Sequence, residues 1–431
     1  MKKLMTFLLM MVILALTGCQ QSEIAESTKI ELSDDAILVD GENISKSTDS
    51  AVYQANDIIF YLENQGLTYG EGTEADAHSQ TEADAHRVVH ITEPGIYEFT
   101  GSLNAGQIFV DLGDGTKNDR NAVATIILNN AEITCTVAPA ILFYRTYECG
   151  DDSEEDAVME VDTSAAGANL VLADGSTNRV YGSYVAKIYE SCELNSAGTE
   201  VIDSKKLHKY DGAVFSRRSM NISGEGVLEV SAENEGICSE MHLTINGGNI
   251  NIKSGNDGIN TSEDNVSVFA MNEGSLNIRV TGETGEGDGI DSNGWLVVNG
   301  GMINSFACAT SMDSGIDADK GIYINGGTVI STGNMPAEVE KGKQTVFSFV
   351  SKDVLNAGKK YEVKDAKSNV ILEILPDNAF TTLTVSSDGL SADESYALWQ
   401  NDTWIADNME PGMRPGKGPG MVPPKKHERK P

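Results

Sequence analysis

The amino-acid sequence predicts an all-β fold: a parallel β-helix (solenoid) of stacked coils, with a small C-terminal β module or cap over its open end. Three observations carry this expectation. Two short turn phrases alternate strictly between residues 211 and 330. The segments between them alternate apolar and polar residues with the period of a strand. No stretch longer than about three turns has the apolar stripe of an amphipathic helix.

In chain order, Lys2 and Lys3 precede an apolar run from Leu4 to Leu16, too short for a comfortable membrane span. The run ends Leu16-Thr17-Gly18-Cys19 and resembles a bacterial lipoprotein signal peptide with its lipobox. That resemblance implies cleavage before Cys19, a lipid on its sulfur, and anchoring to the outer face of the cytoplasmic membrane or cell surface. An ordinary secretory signal is the alternative, and either exports the protein. Residues 20–50 are polar and weakly patterned, a tether. Residues 51–335 are assigned to the β-helix, 336–408 to the cap, and 409–431 to a disordered basic Pro/Gly tail; six of the ten prolines fall in the last twenty-one residues.

Within the body, Ala124–Leu128, Asn169–Leu172 and Val227–Val230 are aliphatic runs bounded by Gly, Asn and Asp. The sequence Thr-Glu-Ala-Asp-Ala-His occurs twice, at 73–78 and 81–86, and is expected to be a duplicated solvated loop. A second acidic insertion spans Gly150 to Asp156. One turn phrase is an acid, Gly and an aliphatic: Asp211-Gly-Ala213, Glu235-Gly-Ile237, Asp257-Gly-Ile259, Asp288-Gly-Ile290, then Ser314-Gly-Ile316. The other is built of small residues: Gly224-Glu-Gly226, Asn246-Gly-Gly248, Asn272-Glu-Gly274, Asn299-Gly-Gly301 and Asn325-Gly-Gly327. Stacked coils would place Ile237, Ile259, Ile290 and Ile316 in one interior ladder and turn Asn260, Asp291 and Asp317 outward. After residue 335 the phrases stop. The strand-like runs Thr345–Phe349 and Asn369–Ile374, with Tyr396, Trp399 and Trp404, then suit a separate module, the two tryptophans in its core.

The charge narrows the function. With 65 acidic and 31 basic residues the formal charge is −34, which repels nucleic-acid phosphates and excludes nucleic acid as a partner. Cys135, Cys149, Cys192, Cys238 and Cys308 have no Cys-x-x-Cys spacing, so a thiolate zinc site is not expected; Cys238 and Cys308 suit small core fillers. In-register coils put equivalent residues about 4.8 Å apart. The turn acids would then form columns in which each adjacent pair repels by roughly 1 kcal/mol in water and about 3–4 kcal/mol at an effective dielectric near 20. A calcium ion would relieve this, and Asp257, Asp288, Asp291, Asp313, Asp317 and Asp319 are its candidate ligands, with Asn256 and Asn260 beside them. The same Asp-Gly pairs are also good turn formers whose side chains can splay into water.

These residues together resemble the clostridial carbohydrate-binding lipoproteins of β-helix fold. The likeness rests on the Asp-Gly-Ile and Asn-Gly-Gly phrases, on Gly95–Gly101 feeding strands at 108–112 and 124–128, and on the lipobox. It implies a right-handed parallel β-helix shaped like pectate lyases, surface calcium, and binding of pectin-type or cellulosic polysaccharide; Glu235 and Ser314 depart from the usual Asp. The expected partner is an acidic plant glycan bound by a monomer, with Trp295 the candidate for stacking on sugar and a partly buried filler otherwise. A calcium-dependent pectate lyase is the enzyme alternative, with Arg217, Arg218, Lys253, Arg279 and Lys320 as candidate bases. A structural or adhesive surface protein is the third, favoured by the 6% aromatic content.

Overall fold

The computed structural model describes residues 27–150, 153–340 and 342–409. The Cys19 lipobox, the start of the tether and the basic tail lie outside them. The described chain is nearly all β; its helical elements are the five-residue helix Gln80–Asp84 and a single 3-10 turn, Thr116–Asn118. No helix among the described residues is long and apolar enough to cross a membrane.

Strands pair with their equivalents one repeat later, in parallel. In the shorter sheet Val89, Ile108, Ile141, Val214, Ile237, Ile259 and Ile290 are successive register partners, and an isolated bridge extends the row to Ile316. All eight are fully buried. The larger sheet holds two more such rows. One runs Ile126, Leu170, Ile222, Ile245, Met271, Val298, Ile324; the other runs Ile133, Val180, Val230, Ile252, Ile278, then Ser305 and Ser331. No repeat can bury these aliphatics alone, and stacking removes them from water at about 1.5–3 kcal/mol per side chain.

The small-residue phrase makes the corner between those two rows. Gly274 and Gly327 adopt φ of +91° and +81°, where a side chain is strained. A Cβ on either would lie 2.6 Å from the glycine carbonyl of the repeat before. The asparagines of the same phrase stack outside the corner, Asn272 Nδ2 donating to Asn246 Oδ1 at 2.7 Å, Asn299 to Asn272 at 2.9 Å and Asn325 to Asn299 at 3.0 Å.

Parallel pairing stops at Thr328–Gly333, whose free edge is covered by the antiparallel strand Phe380–Ser386, itself paired with Val346–Leu355. A four-stranded antiparallel sheet follows in the order Val370–Ile374, Tyr361–Asp365, Tyr396–Gln400, Thr403–Asp407. This segment has its own core, in which Phe349, Tyr361, Phe380 and Leu383 pack with Phe306 and Ile330 from the outer face of the parallel sheet.

Three local expectations need correction. Thr28–Leu32 is no tether: it pairs in parallel with Gly95–Leu103 and buries Ile30. The second copy of the duplicated hexapeptide is only partly solvated. It forms the short helix, capped by Ser79 Oγ accepting from Glu82 N, and it buries Ala83 and His86, whose Nδ1 bonds the Glu82 carbonyl at 2.9 Å. Trp404 is exposed rather than in the core of the C-terminal module. The cysteines, all free among the described residues, do include Cys238 and Cys308 as buried fillers.

Because Ile245 is fully buried in its row, Ile245→Ala should cost about 2–5 kcal/mol, whereas Lys253→Ala on the exposed face should stay within about 0.5 kcal/mol. Denaturant unfolding midpoints measure both; equal midpoints would contradict the buried row.

Candidate functional site

The acid, Gly and aliphatic phrase forms another corner, leading into the shorter sheet. The aliphatic points inward, so the residue after it points outward: Phe215, Cys238, Asn260 and Asp291 occupy successive positions of one outer row. The acid two residues before the aliphatic falls at the corner itself. Glycine lets adjacent repeats touch there, since a Cβ on Gly258 would lie 2.6 Å from Gly289 O and one on Gly289 2.3 Å from Gly315 O. The tight contact buries the acids. Glu235 and Asp257 are buried and Asp288 is partly covered.

Two of these acids are tied to the next repeat by a backbone N–H. Asp257 Oδ1 accepts from Asp288 N at 2.7 Å, and Asp288 Oδ1 accepts from Ser314 N at 2.6 Å. Asn260 Nδ2 donates to Glu235 Oε1 at 3.2 Å and to Asp257 Oδ2 at 3.3 Å. Cys238 Sγ donates to Glu235 Oε2 at 2.8 Å. Asp288, Asp291 and Asp317 each place a carboxylate oxygen within 4.8 Å of the other two.

Burial and mutual repulsion push these carboxyls toward their neutral forms. Burial, then the Asp211 charge, raises Glu235 to about 8. Burial, then Glu235, Asp291 and Asp288, raises Asp257 well above the usual carboxylate range. Asp288 is raised likewise by burial and then by Asp317 and Asp291. The charges acting most on Asp257 and Asp288 are thus all carboxylates. At this corner Asn260 Oδ1, on a residue only 8% exposed, has no hydrogen-bond partner among the described residues. Its amide donors are turned to Glu235 and Asp257, and its register neighbour is Asp291. Three close carboxylates beside an unpartnered buried amide oxygen are an all-oxygen donor set that fits a hard cation.

The expected ligands are therefore only partly gathered. Asp288, Asp291 and Asp317 meet, and Asp257 adjoins them through the Asp288 backbone. Asp313 instead accepts from Gly287 N at 2.7 Å and from Ser311 Oγ, and Asp319 is exposed. Trp295 is half-buried with Lys320 Nζ 4.3 Å above its ring. Of the candidate bases, Arg217 pairs with Glu240 at 3.4 Å and covers the Tyr144 ring, and Arg218 donates to Arg217 O. Lys253 and Arg279 are register partners on the exposed face of the larger sheet. Sequence reasoning missed a groove of about 590 Å³ on that face, floored by Asn251, Asn277 and Asn304 and walled by residues 373–377. The Asn three residues after each of the three middle small-residue phrases, Asn251, Asn277 and Asn304, was its available signal.

In metal-free protein the raised carboxyls bind protons more tightly folded than unfolded. Their contribution is fully present at acid pH and is lost as pH rises through the folded value, about 8 for Glu235. His208 and His242, both lowered by burial, are neutral in this window. From about pH 7 to about pH 8.5 chelated protein should lose on the order of 1 kcal/mol, and Glu235→Gln should flatten the slope. A flat wild-type profile in denaturant titrations would contradict this.

A family model described as carbohydrate-binding domain-containing protein matches residues 85–400. A protein of that description from Acetivibrio thermocellus is 30% identical over 169 residues, 39% of this chain and 46% of the relative, so the match spans about half of the relative's length. Among solved structures the chain is similar to the polysaccharide lyase-like protein from C. thermocellum, in its gadolinium derivative. That likeness has 22% identity and a TM-score of 0.40, and covers 74% of this chain and 96% of the other. By its match over most of its length, this chain belongs to the family of carbohydrate-binding domain-containing proteins.

Proposed function

We propose that the protein is an exported surface binder of polysaccharide, anchored through a lipid on Cys19, and that its parallel stack is a right-handed β-helix. In this reading the cluster of Asp288, Asp291 and Asp317, with Asn260 Oδ1, holds a calcium ion. The observation that carries the cation is that unpartnered, buried amide oxygen beside three converging carboxylates. Asp288, Asp291 and Asp317 are only partly covered, so the site opens outward. Calcium accepts six to eight oxygens, and positions the protein leaves open can be filled by uronate carboxylates of a pectin-type chain. The protein side chains contribute the negative charge that selects the ion. Asp257 and Asn260 hold the column in register, and Trp295 is a rim contact for a sugar ring.

A binder fits this site better than a lyase. β-Elimination needs a base beside the cation to take the proton next to the uronate carboxylate. Arg217 is instead paired with Glu240, Arg218 bonds Arg217 O, Lys320 bonds Asn265 O beneath its contact with Trp295, and Lys253 and Arg279 lie on the larger sheet.

Electrophoresis through polygalacturonate gels tests the reading. Calcium should retard the protein, chelator should release it, no unsaturated oligosaccharide should form, and Asp288→Asn with Asp291→Asn should abolish retardation. Equal mobility with calcium and with chelator would remove the calcium-bridged glycan, and unsaturated product would make the protein a lyase. Separately, Cys19→Ser should move the protein from the membrane fraction to the medium; retention in the membrane would argue against the anchor.

A further inference from the structure

The groove between the larger sheet and the C-terminal module lies on a different face from the acid column, and its chemistry differs. Its floor is one row of register partners, Asn251, Asn277 and Asn304, one per repeat. Their side chains are linked across the strands: Asn277 Nδ2 donates to Asn251 Oδ1 at 3.0 Å, and Asn304 Nδ2 donates to Asn277 Oδ1 at 2.8 Å. This fixes the amides and gives the row a direction. The N–H pair of Asn251 and the carbonyl of Asn304 take no part in the row, so one end offers donors and the other an acceptor.

The wall is the end of the strand Val370–Ile374 and the residues after it. Asn378 holds it in place, its buried Nδ2 donating to Val280 O at 2.6 Å, Ala307 O at 2.8 Å and Phe306 O at 3.1 Å. The wall is therefore tied to the sheet by the two N–H groups of one buried amide, shared among three backbone carbonyls. Two large apolar side chains stand open along it, Leu375 at 63% exposure and Met302 at 44%. Its charged groups are Arg279 on the sheet side and Glu373 and Asp377 on the wall. Glu373 is itself paired with Lys360 at 2.8 Å.

From this geometry we infer that the groove binds an uncharged, extended pyranose chain lying across the strands. The inference rests on the polysaccharide-binding reading but not on calcium. Amides spaced one strand apart, about 4.8 Å, match the advance of one sugar residue along an extended β-linked chain. Fixed amide donors and acceptors together with carboxylates suit hydroxyl groups, each of which both donates and accepts. Leu375 and Met302 suit the apolar C–H faces of pyranose rings. A polyuronate or a phosphate-bearing chain would bring its charges against Glu373 and Asp377 with Arg279 as the lining cation, and a lipid would leave the amide floor unpaired.

Calorimetry of the full chain with cellohexaose in chelator tests this. Leu375→Asp and Arg279→Ala alter exposed side chains and should melt with wild type. Each is expected to weaken cellohexaose binding at least tenfold, while chelator leaves wild-type binding unchanged. Absence of cellohexaose binding, or binding that both variants leave intact, overturns the proposal. Binding that disappears with chelator also overturns it and returns the glycan to the acid column. Retardation by polygalacturonate is read independently, so either site can fail without the other.

Discussion

In-register parallel pairing is the constraint on which the other features depend. Each strand hydrogen-bonds to its equivalent one repeat away, so each side chain meets the residue at the same position of the next repeat at about 4.8 Å. Self-stacking favours some residue types and penalises others. Isoleucine on isoleucine keeps apolar surface against apolar surface, and the Ile237, Ile259, Ile290, Ile316 row is fully buried. Asparagine on asparagine is self-complementary, because an amide donates along the row in one direction and accepts from the other. Two separate amide rows use this, one at the corner and one on the sheet face. Carboxylate on carboxylate has no such solution without a proton or a cation.

The acid column shows how the chain limits that penalty. Its members are not uniform: Asp211 pairs with Lys209 at 2.8 Å, Glu235 and Asp257 share the Asn260 amide, and Ser314 ends the series with a hydroxyl. Backbone N–H groups of the following repeat solvate one oxygen each of Asp257 and Asp288. These bonds favour the charged forms, yet burial outweighs them, and the carboxyls remain raised. A chain of marginal net stability keeps such a column at a real cost, which the proposed cation would offset.

The ends of the stack pose the opposite problem. A parallel sheet that stops leaves unpaired backbone groups and invites further strands. Here the last strand of the larger sheet is covered by an antiparallel strand from the C-terminal module, and the first strand of the shorter sheet, Arg87–Ile91, by the antiparallel Val52–Ala55. The covering module also leans over the outer face, where Phe306 and Ile330 join its core. That overhang makes one wall of the amide-floored groove. Capping and groove formation are therefore products of the same packing.

What the sequence determined by itself is what repeats. Glycine phrases, strand-period alternation and the spacing of Ile237, Ile259, Ile290 and Ile316 specify all-β stacking and which residues face inward, because periodicity is local and survives without knowledge of register. It also singled out Asp288, Asp291 and Asp317. Only the tertiary structure decided that these three meet while Asp313 and Asp319 do not, because uneven insertions between repeats set which corner residues come level. It likewise decided the fate of segments outside the repeats. Thr28–Leu32 and the 81–86 hexapeptide look polar in isolation, yet they are drawn into the fold by pairing and packing with residues far along the chain. The groove was the least legible, since its wall and floor are about seventy to more than one hundred residues apart in sequence and only Asn378's long-range bonds bring them together.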